Sequence, residues 1–483
     1  MLQMGGEGDA PSAHCNSDMV SANAICVQVE HRFYGQSFPP LSLGGSSTST
    51  LTAGLTVENN AADTAKVLSA VQSLFLTAGA GKRPVVTFGG SYSGATCTWF
   101  RMAYPDLTGG CVASSGVVNA LYEFQDFDVV VGEAIAKPDV TCRDRIIGIT
   151  DSIDGRFAAG EGESMKLLFN ATKLVGTEMG DSDFMFMVAD GFSMIDQYGA
   201  KAELCDGLKS VPDSADDVTK ISNLASILTA HYGADFGNDC FYDSECVKSE
   251  SDPGNVDGIM GWANSRSWRW QTCAQVAYMQ SRPTASSSFP TRSRLLTISE
   301  LEKQCLYIFG TMPARDGGNA ALNEKFGADR IDLRGATNIL SLSYSDDPWK
   351  AASVTAELGE TLPYCATVCD GCGHCGSGVK GDDALTCGEP QSRFVQQVVA
   401  ELRFEGTFVD LKNETFKKAI LVNVSGKVED MTMNVYELGI KVPPVQATFD
   451  GVAVTMGELL GKWDAVSESI VWANGDVWKK VVE

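Results

Sequence analysis

Histidine is nearly missing from this chain, with four in 483 residues, and basic residues are outnumbered, 37 Lys and Arg against 61 Asp and Glu. The net charge of −24 speaks against a nucleic-acid partner, because phosphate binding needs a basic face. It also speaks against an anionic membrane surface. Long apolar runs are absent: none approaches the ~18 residues that a membrane-spanning helix requires. The opening MLQMGGEGDAP shows neither a basic n-region nor an apolar h-region, which taken alone points to the cytosol. The acidic balance suits an acidic compartment, and equally a solvated surface that aids solubility.

Cysteine is the opposite case, with 15 residues. Several lie in short polar loops, such as Cys240 and Cys246 in NDCFYDSEC, which reads as oxidised pairing at the surface. Sequons stand at Asn170, Asn413 and Asn423. Together these features favour a lysosomal, vacuolar or secreted protein, and we reconcile them with the bare start by expecting an incomplete N-terminus.

Residues 1–120 alternate strand and helix patterns. ICVQVEHRF (25–33) reads as a buried strand. Ala61, Ala65, Leu68, Val71 and Phe75 recur at helical spacing over a helix from Val57 to about Ala78. Gly79 and Gly81 end it, Pro84 opens the strand PVVTFGG, and a helix follows from Ser91 to before Pro105. GGCVASSGVV (109–118) is the next strand. Alternation of this kind implies a parallel sheet. Residues 121–299 turn to helical periodicity, with EFQDFDVVVGEAIA and CRDRIIGITDSI as amphipathic helices, and read as an insertion. Residues 300–403 return to α/β character, with NILSLS (338–343) a strand and PQSRFVQQVVAEL (390–402) a helix. Residues 404–483 carry strand-like runs broken by turns, a small all-β domain.

The chemistry starts at Ser91 in VVTFGG-Ser-Tyr-Ser-Gly. A strand-to-helix turn lifts a serine hydroxyl above the sheet, near the positive end of a helix. Gly89 and Gly90 supply the small residues before it. After it Ser93 stands where G-x-S-x-G wants glycine, and Gly94 comes one step later. The bland alternative is a glycine-rich helix start or a phosphate-binding turn. A serine nucleophile needs a base, and only His231 and His374 follow Ser91. His231 lies in the helical insertion. His374 lies in a tight loop, CDGCGHCGSG, between a possible strand and a helix. Asp347, which follows the run NILSLSYS and Asp346 and opens DPW, is the acid that would orient His374. Adjacent Asp346 would point the other way. Trp349 is placed to wall a pocket. Oxyanion donors would be the N–H of Tyr92 and of Gly6 in MGGEGD. Glu7 in that loop is either a contact for a substrate's amine or a structural carboxylate.

These blocks resemble the prolyl serine peptidases that include lysosomal Pro-X carboxypeptidase and dipeptidyl peptidase II. The likeness is carried in order by GGEGD (5–9), EHRFYGQSFP (30–39), GGSYSGATCTWFRMAYPDLTGGCVASSG (89–116), SWRWQTCAQVAYMQ (267–280), QCLYIFG (304–310) and DDPW (346–349). It implies an α/β-hydrolase core (1–120 and 300–403), a helical cap (121–299), and cleavage next to proline near a peptide terminus. Peptides would be the partners, with a homodimer open as the assembly. The chain departs from the family at Ser93, at Tyr344 and Ser345 before the DPW block, at Gln275, and in its cysteine-rich histidine loop. Residues 404–483 fall outside the likeness and are read as an accessory β-sandwich. Cys365, Cys369, Cys372, Cys375 and Cys387 have spacing that would suit zinc or an iron–sulfur centre. Disulfides bracing the histidine loop are the preferred reading, so no metal or cofactor is expected, and an odd count leaves one thiol over. Trp262, Trp268 and Trp270 are either cap core or pocket lining. An esterase without proline preference and an inactive binding homologue are the competing functions.

Overall fold

The computed structural model describes residues 1–10, 15–16, 18–19, 24–40, 43–77, 85–137, 139–171, 179–250, 261–285 and 289–404, apart from the side chains of 75–77 and 400–404, and then the strand backbone between 406 and 481. Pro84 and the glycines that were expected to end the first long helix lie outside these residues.

Six parallel strands form the first sheet: β1 (Leu2–Gln3), β2 (Val27–Gln28), β3 (Val86–Gly90), β4 (Gly110–Ser114), β5 (Ile339–Tyr344) and β6 (Tyr364–Thr367), in the order β2-β1-β3-β4-β5-β6. All neighbours run parallel. Side chains split between the two faces with period two, as extended backbone requires. On β4, Cys111 and Ala113 join one apolar core while Val112 joins another. The first core packs Ala61, Ala65 and Leu68 of the helix Val57–Thr77 with Tyr92, Ala95 and Trp99 of the helix Ser91–Ala103. The second takes Val395, Val398 and Val399 of the helix Asp383–Phe404. Both faces are therefore covered, which is why the strands read as near-continuous apolar runs. This mixed α/β architecture is consistent with an α/β-hydrolase-like fold.

Between β4 and β5 the described residues are mainly helical, including Gln125–Ile135, Val140–Ala158, Asp181–Gln197, Asp217–Tyr232 and Gly261–Gln271. The chain steps outward from β1 to β2 and then returns to the other side of β1 at β3. That reversal opens a crevice beyond the carboxyl ends of β1 and β3, where ligands bind in open parallel sheets.

Three sequence expectations need correction. The expected strand 25–33 pairs only at Val27–Gln28, because Glu30 accepts hydrogen bonds from Ala10 N–H, Gln36 N–H and Ser37 Oγ and bends the chain away. The final helix begins at Asp383, with Pro390 inside it. Its polar first turns hide from a periodicity search, and the Cys365–Cys387 disulfide ties them down. Cys240 and Cys246 do pair, but both are buried. Beyond residue 405, nine strands between Gly406 and Val481 pair antiparallel in a second sheet. Their side chains and turns, including the sequon residue Asn413, lie outside the described residues; the strand backbone forms one antiparallel sheet where an accessory β-sandwich was expected over 404–483. No helix among the described residues is long and apolar enough to cross a membrane.

Candidate active site

Ser91 sits at the junction of β3 and its helix, with a left-handed φ of 57°. A non-glycine residue rarely adopts this conformation, and it is held here by its surroundings. Close packing of the turn demands small neighbours. A Cβ on Gly89 would overlap the Ser93 carbonyl, and one on Gly94 would come 2.9 Å from the Gly116 Cα. The departure at Ser93 has a local reason: its hydroxyl accepts the Gly90 N–H at 3.1 Å and donates to the Gly90 carbonyl at 2.6 Å, which staples the turn.

His374 and Asp347 meet. The imidazole Nδ1 lies 2.8 Å from Asp347 Oδ1, and both side chains are buried. Oδ1 also accepts the Trp349 N–H at 2.9 Å, and Pro348 starts the short 3₁₀ turn that follows. Asp346 faces the opposite way. It accepts Lys137 Nζ at 2.8 Å, Lys201 Nζ at 3.3 Å and the Gly371 N–H at 2.8 Å. Burial alone would pull the His374 pKa down, but the Asp347 carboxylate and the Cys375 sulfur outweigh it and hold the ring well above its ordinary value.

His374 Nε2 is buried and has no hydrogen-bond partner. It makes no bond to Ser91 Oγ in this conformation, yet the two loops touch. Cys375 donates its N–H to Ser115 Oγ at 2.9 Å, and a Cβ on Gly90 would lie 3.0 Å from its sulfur. The residues next to Ser91 and next to His374 are thus in contact. Catalytic hydrogen bonds are commonly longer in the free enzyme than in the substrate complex.

The other candidates fall around one cavity of about 460 Å³, lined by Glu7, Ser91, Tyr92, Trp268 and Trp349 among others. Tyr92 is the second residue of its helix, so its N–H precedes the intrahelical ladder. Gly6 lies against the same helix start, a Cβ there falling 3.5 Å from Ser93 Cβ. Burial raises the Glu7 pKa, against its own backbone hydrogen bond and the charge of His374. Trp270 is instead buried in a second apolar cluster with Phe33, Leu51 and Phe309, and Trp262 packs against that cluster. His31 is buried between Tyr92 OH at 3.2 Å and the Arg32 carbonyl at 2.7 Å, and burial pushes it down to about 4, so it is neutral and structural. His231 is paired with Glu203 at 3.6 Å in the insert.

Seven disulfides account for 14 cysteines. Cys365–Cys387 and Cys369–Cys372 brace the histidine loop, and Cys375 is the thiol left over. Gln275 bonds the Val57 N–H and Glu58, joining insert to core. Sequence reading missed Ser115 and also Gln197, whose Oε1 accepts Trp349 Nε1 at 2.9 Å. Both act through tertiary contacts that no local motif announces.

Similar proteins include the probable serine protease EDA2 of Arabidopsis thaliana, 29% identical over 384 residues, covering 77% of this chain and 72% of that one. The thymus-specific serine protease of Mus musculus is 24% identical over 405 residues, covering 77% and 74%. The lysosomal Pro-X carboxypeptidase of Homo sapiens is 25% identical over 375 residues, covering 73% and 69%. The family model described as serine carboxypeptidase S28 matches residues 1–383, so the chain belongs to that family and is a serine-type peptidase.

Proposed function

We propose that this chain is an exopeptidase that cleaves beside proline near a peptide terminus, with Ser91, His374 and Asp347 as its catalytic triad. The supporting observation is the buried Asp347–His374 pair, whose free Nε2 belongs to a loop in contact with the Ser91 turn. Ser91 Oγ attacks the scissile carbonyl carbon and passes its proton to His374 Nε2. The N–H groups of Tyr92 and Gly6 take the oxyanion. Collapse of the tetrahedral adduct expels the amine, which leaves with the proton from His374. Water then attacks the acyl-enzyme by the same route.

Trp268 and Trp349 offer the cavity apolar walls suited to a pyrrolidine ring, and Glu7 offers a contact for a substrate amine. Residues 404–483 are an accessory β module in this reading. The disulfides and the lysosomal relatives favour a lysosomal or secreted enzyme. The test is labelling of the purified protein with a fluorophosphonate, followed by turnover of proline-containing peptides and of simple esters. An adduct on Ser91 with faster turnover of the proline peptides is expected. An adduct with ester turnover alone would favour an esterase, and no adduct would favour an inactive binding homologue.

A further inference from the structure

Among the described residues, Arg269 is the single cation that lines the Ser91 cavity. It lies in the last turn of the helix Gly261–Gln271, next to Trp268. Its guanidinium sits over the rings of Phe186 and Phe241, 5.5 and 5.6 Å from their centroids, and both rings line the same cavity. Nη2 donates to the Phe241 carbonyl at 3.2 Å. Nε is buried without a partner.

Among the described residues no carboxylate forms an ion pair with this group. Asp183 and Asp190 act on it electrostatically but are engaged elsewhere. Asp183 accepts from the Ser244 N–H and hydroxyl and from Gln304, and Asp190 accepts from Tyr242 OH at 2.8 Å. Burial lifts both carboxyls, Asp183 to about 6, which weakens them as counter-ions. A guanidinium presents five donors in a rigid fork. Holding that fork half-satisfied between two aromatic faces carries a desolvation cost that a partner entering the cavity would offset. The group that matches the fork is a carboxylate, bound through two parallel N–H···O bonds.

We propose that Arg269 is the carboxylate anchor of this site, so that preferred substrates carry an anion beyond the scissile bond. The proposal rests on Ser91 being the nucleophile of the same cavity. The anion is either the free C-terminus of the peptide or an acidic side chain, and the substrates below separate the two.

The wild-type protein is assayed on three matched peptides: a free C-terminal acid, its C-terminal amide, and the amide with one acidic side chain. One anionic form is expected to exceed the neutral amide in kcat/KM by roughly ten- to a hundredfold, the range of a charge-assisted hydrogen bond. Preference for the free acid identifies the terminus, and preference for the acidic amide identifies the side chain. In Arg269→Gln the ratio of anionic to neutral substrate is expected to fall toward one, while Arg269→Lys keeps part of it. Equal turnover of all three peptides by the wild-type protein overturns the proposal even if the glutamine variant does not fold. A ratio that survives in Arg269→Gln overturns it too. Failure of fluorophosphonate to label wild-type Ser91 defeats instead the reading on which the proposal rests.

Discussion

Two adjacent aspartates should fail in opposite ways. Asp346 is fully buried and ties Lys137, Lys201 and the Gly371 N–H together beneath the histidine loop. Burial pushes its carboxyl up, but these partners outweigh that and hold it below the usual carboxylate range. In Asp346→Asn the amide keeps one acceptor and presents N–H donors to two ammonium groups. Lys137 is half-exposed, so its share is below about 1 kcal/mol. Lys201 is only 7% exposed but keeps Asp370 as a second partner, so the loss falls at the lower end of the roughly 3 to 5 kcal/mol for breaking a buried pair. We therefore expect a loss of about 3 kcal/mol, read as a lower guanidinium midpoint by tryptophan fluorescence. The rate of Ser91 labelling in the surviving folded protein should stay within about tenfold, since Asp346 does not touch the imidazole. Asp347→Asn should do the reverse. An asparagine there favours the wrong imidazole tautomer, which in triad enzymes costs about 10⁴ in kcat. If Asp346→Asn abolished labelling while the midpoint held, Asp346 would be the acid, and the assignment of Asp347 would be refuted.

On the proposed triad, the raised pKa of His374 keeps the free enzyme's base protonated above its ordinary range, so kcat/KM should climb with pH and reach half its plateau above 6.5. Because Cys375 contributes to that shift, Cys375→Ala should move the midpoint to lower pH. A profile that does not move would remove the thiol from the account. The Cys365–Cys387 bridge closes a 22-residue separation around His374. Replacing both by serine should cost about 3 kcal/mol by loop-closure entropy, seen as a lower melting temperature under non-reducing conditions. In Gly373→Ala the new Cβ would overlap the Gln197 carbonyl at the end of the helix Asp181–Gln197. Backbone cannot yield as a side chain can, so the histidine loop or that helix end must shift. A displacement near 1 Å typically costs about 10² in rate, and unchanged turnover in this variant would show that the two surfaces are not tightly coupled.

The fold was legible where a single face or both faces of an element are apolar. Ala61, Ala65 and Leu68 fixed the helix before β3, and the runs around Val86, Val112 and Leu340 fixed the central strands. It was illegible where side chains, rather than periodicity, decide the path. Glu30 ends β2 with three side-chain hydrogen bonds, and the first turns of the helix Asp383–Phe404 are polar and anchored by Cys387. Buried Cys240 and Cys246 look like surface residues in sequence because their neighbours are polar.

The candidate site followed a different logic. Scarcity made it readable: with four histidines and a fixed chain order, only His374 stood in a loop at a strand's end. Choosing Asp347 over Asp346 required only the alternation of an extended chain, and the hydrogen bond to Nδ1 lies on that side. Arg269 escaped because it belongs to no motif. Its significance comes from what faces it, namely two aromatic rings, two carboxyls already engaged with other donors, and an open cavity shared with Ser91. Sequence reports the residues that must be of one type for the chemistry. The selectivity proposed for Arg269 depends on which partners are missing around it, and that is visible only in the folded structure.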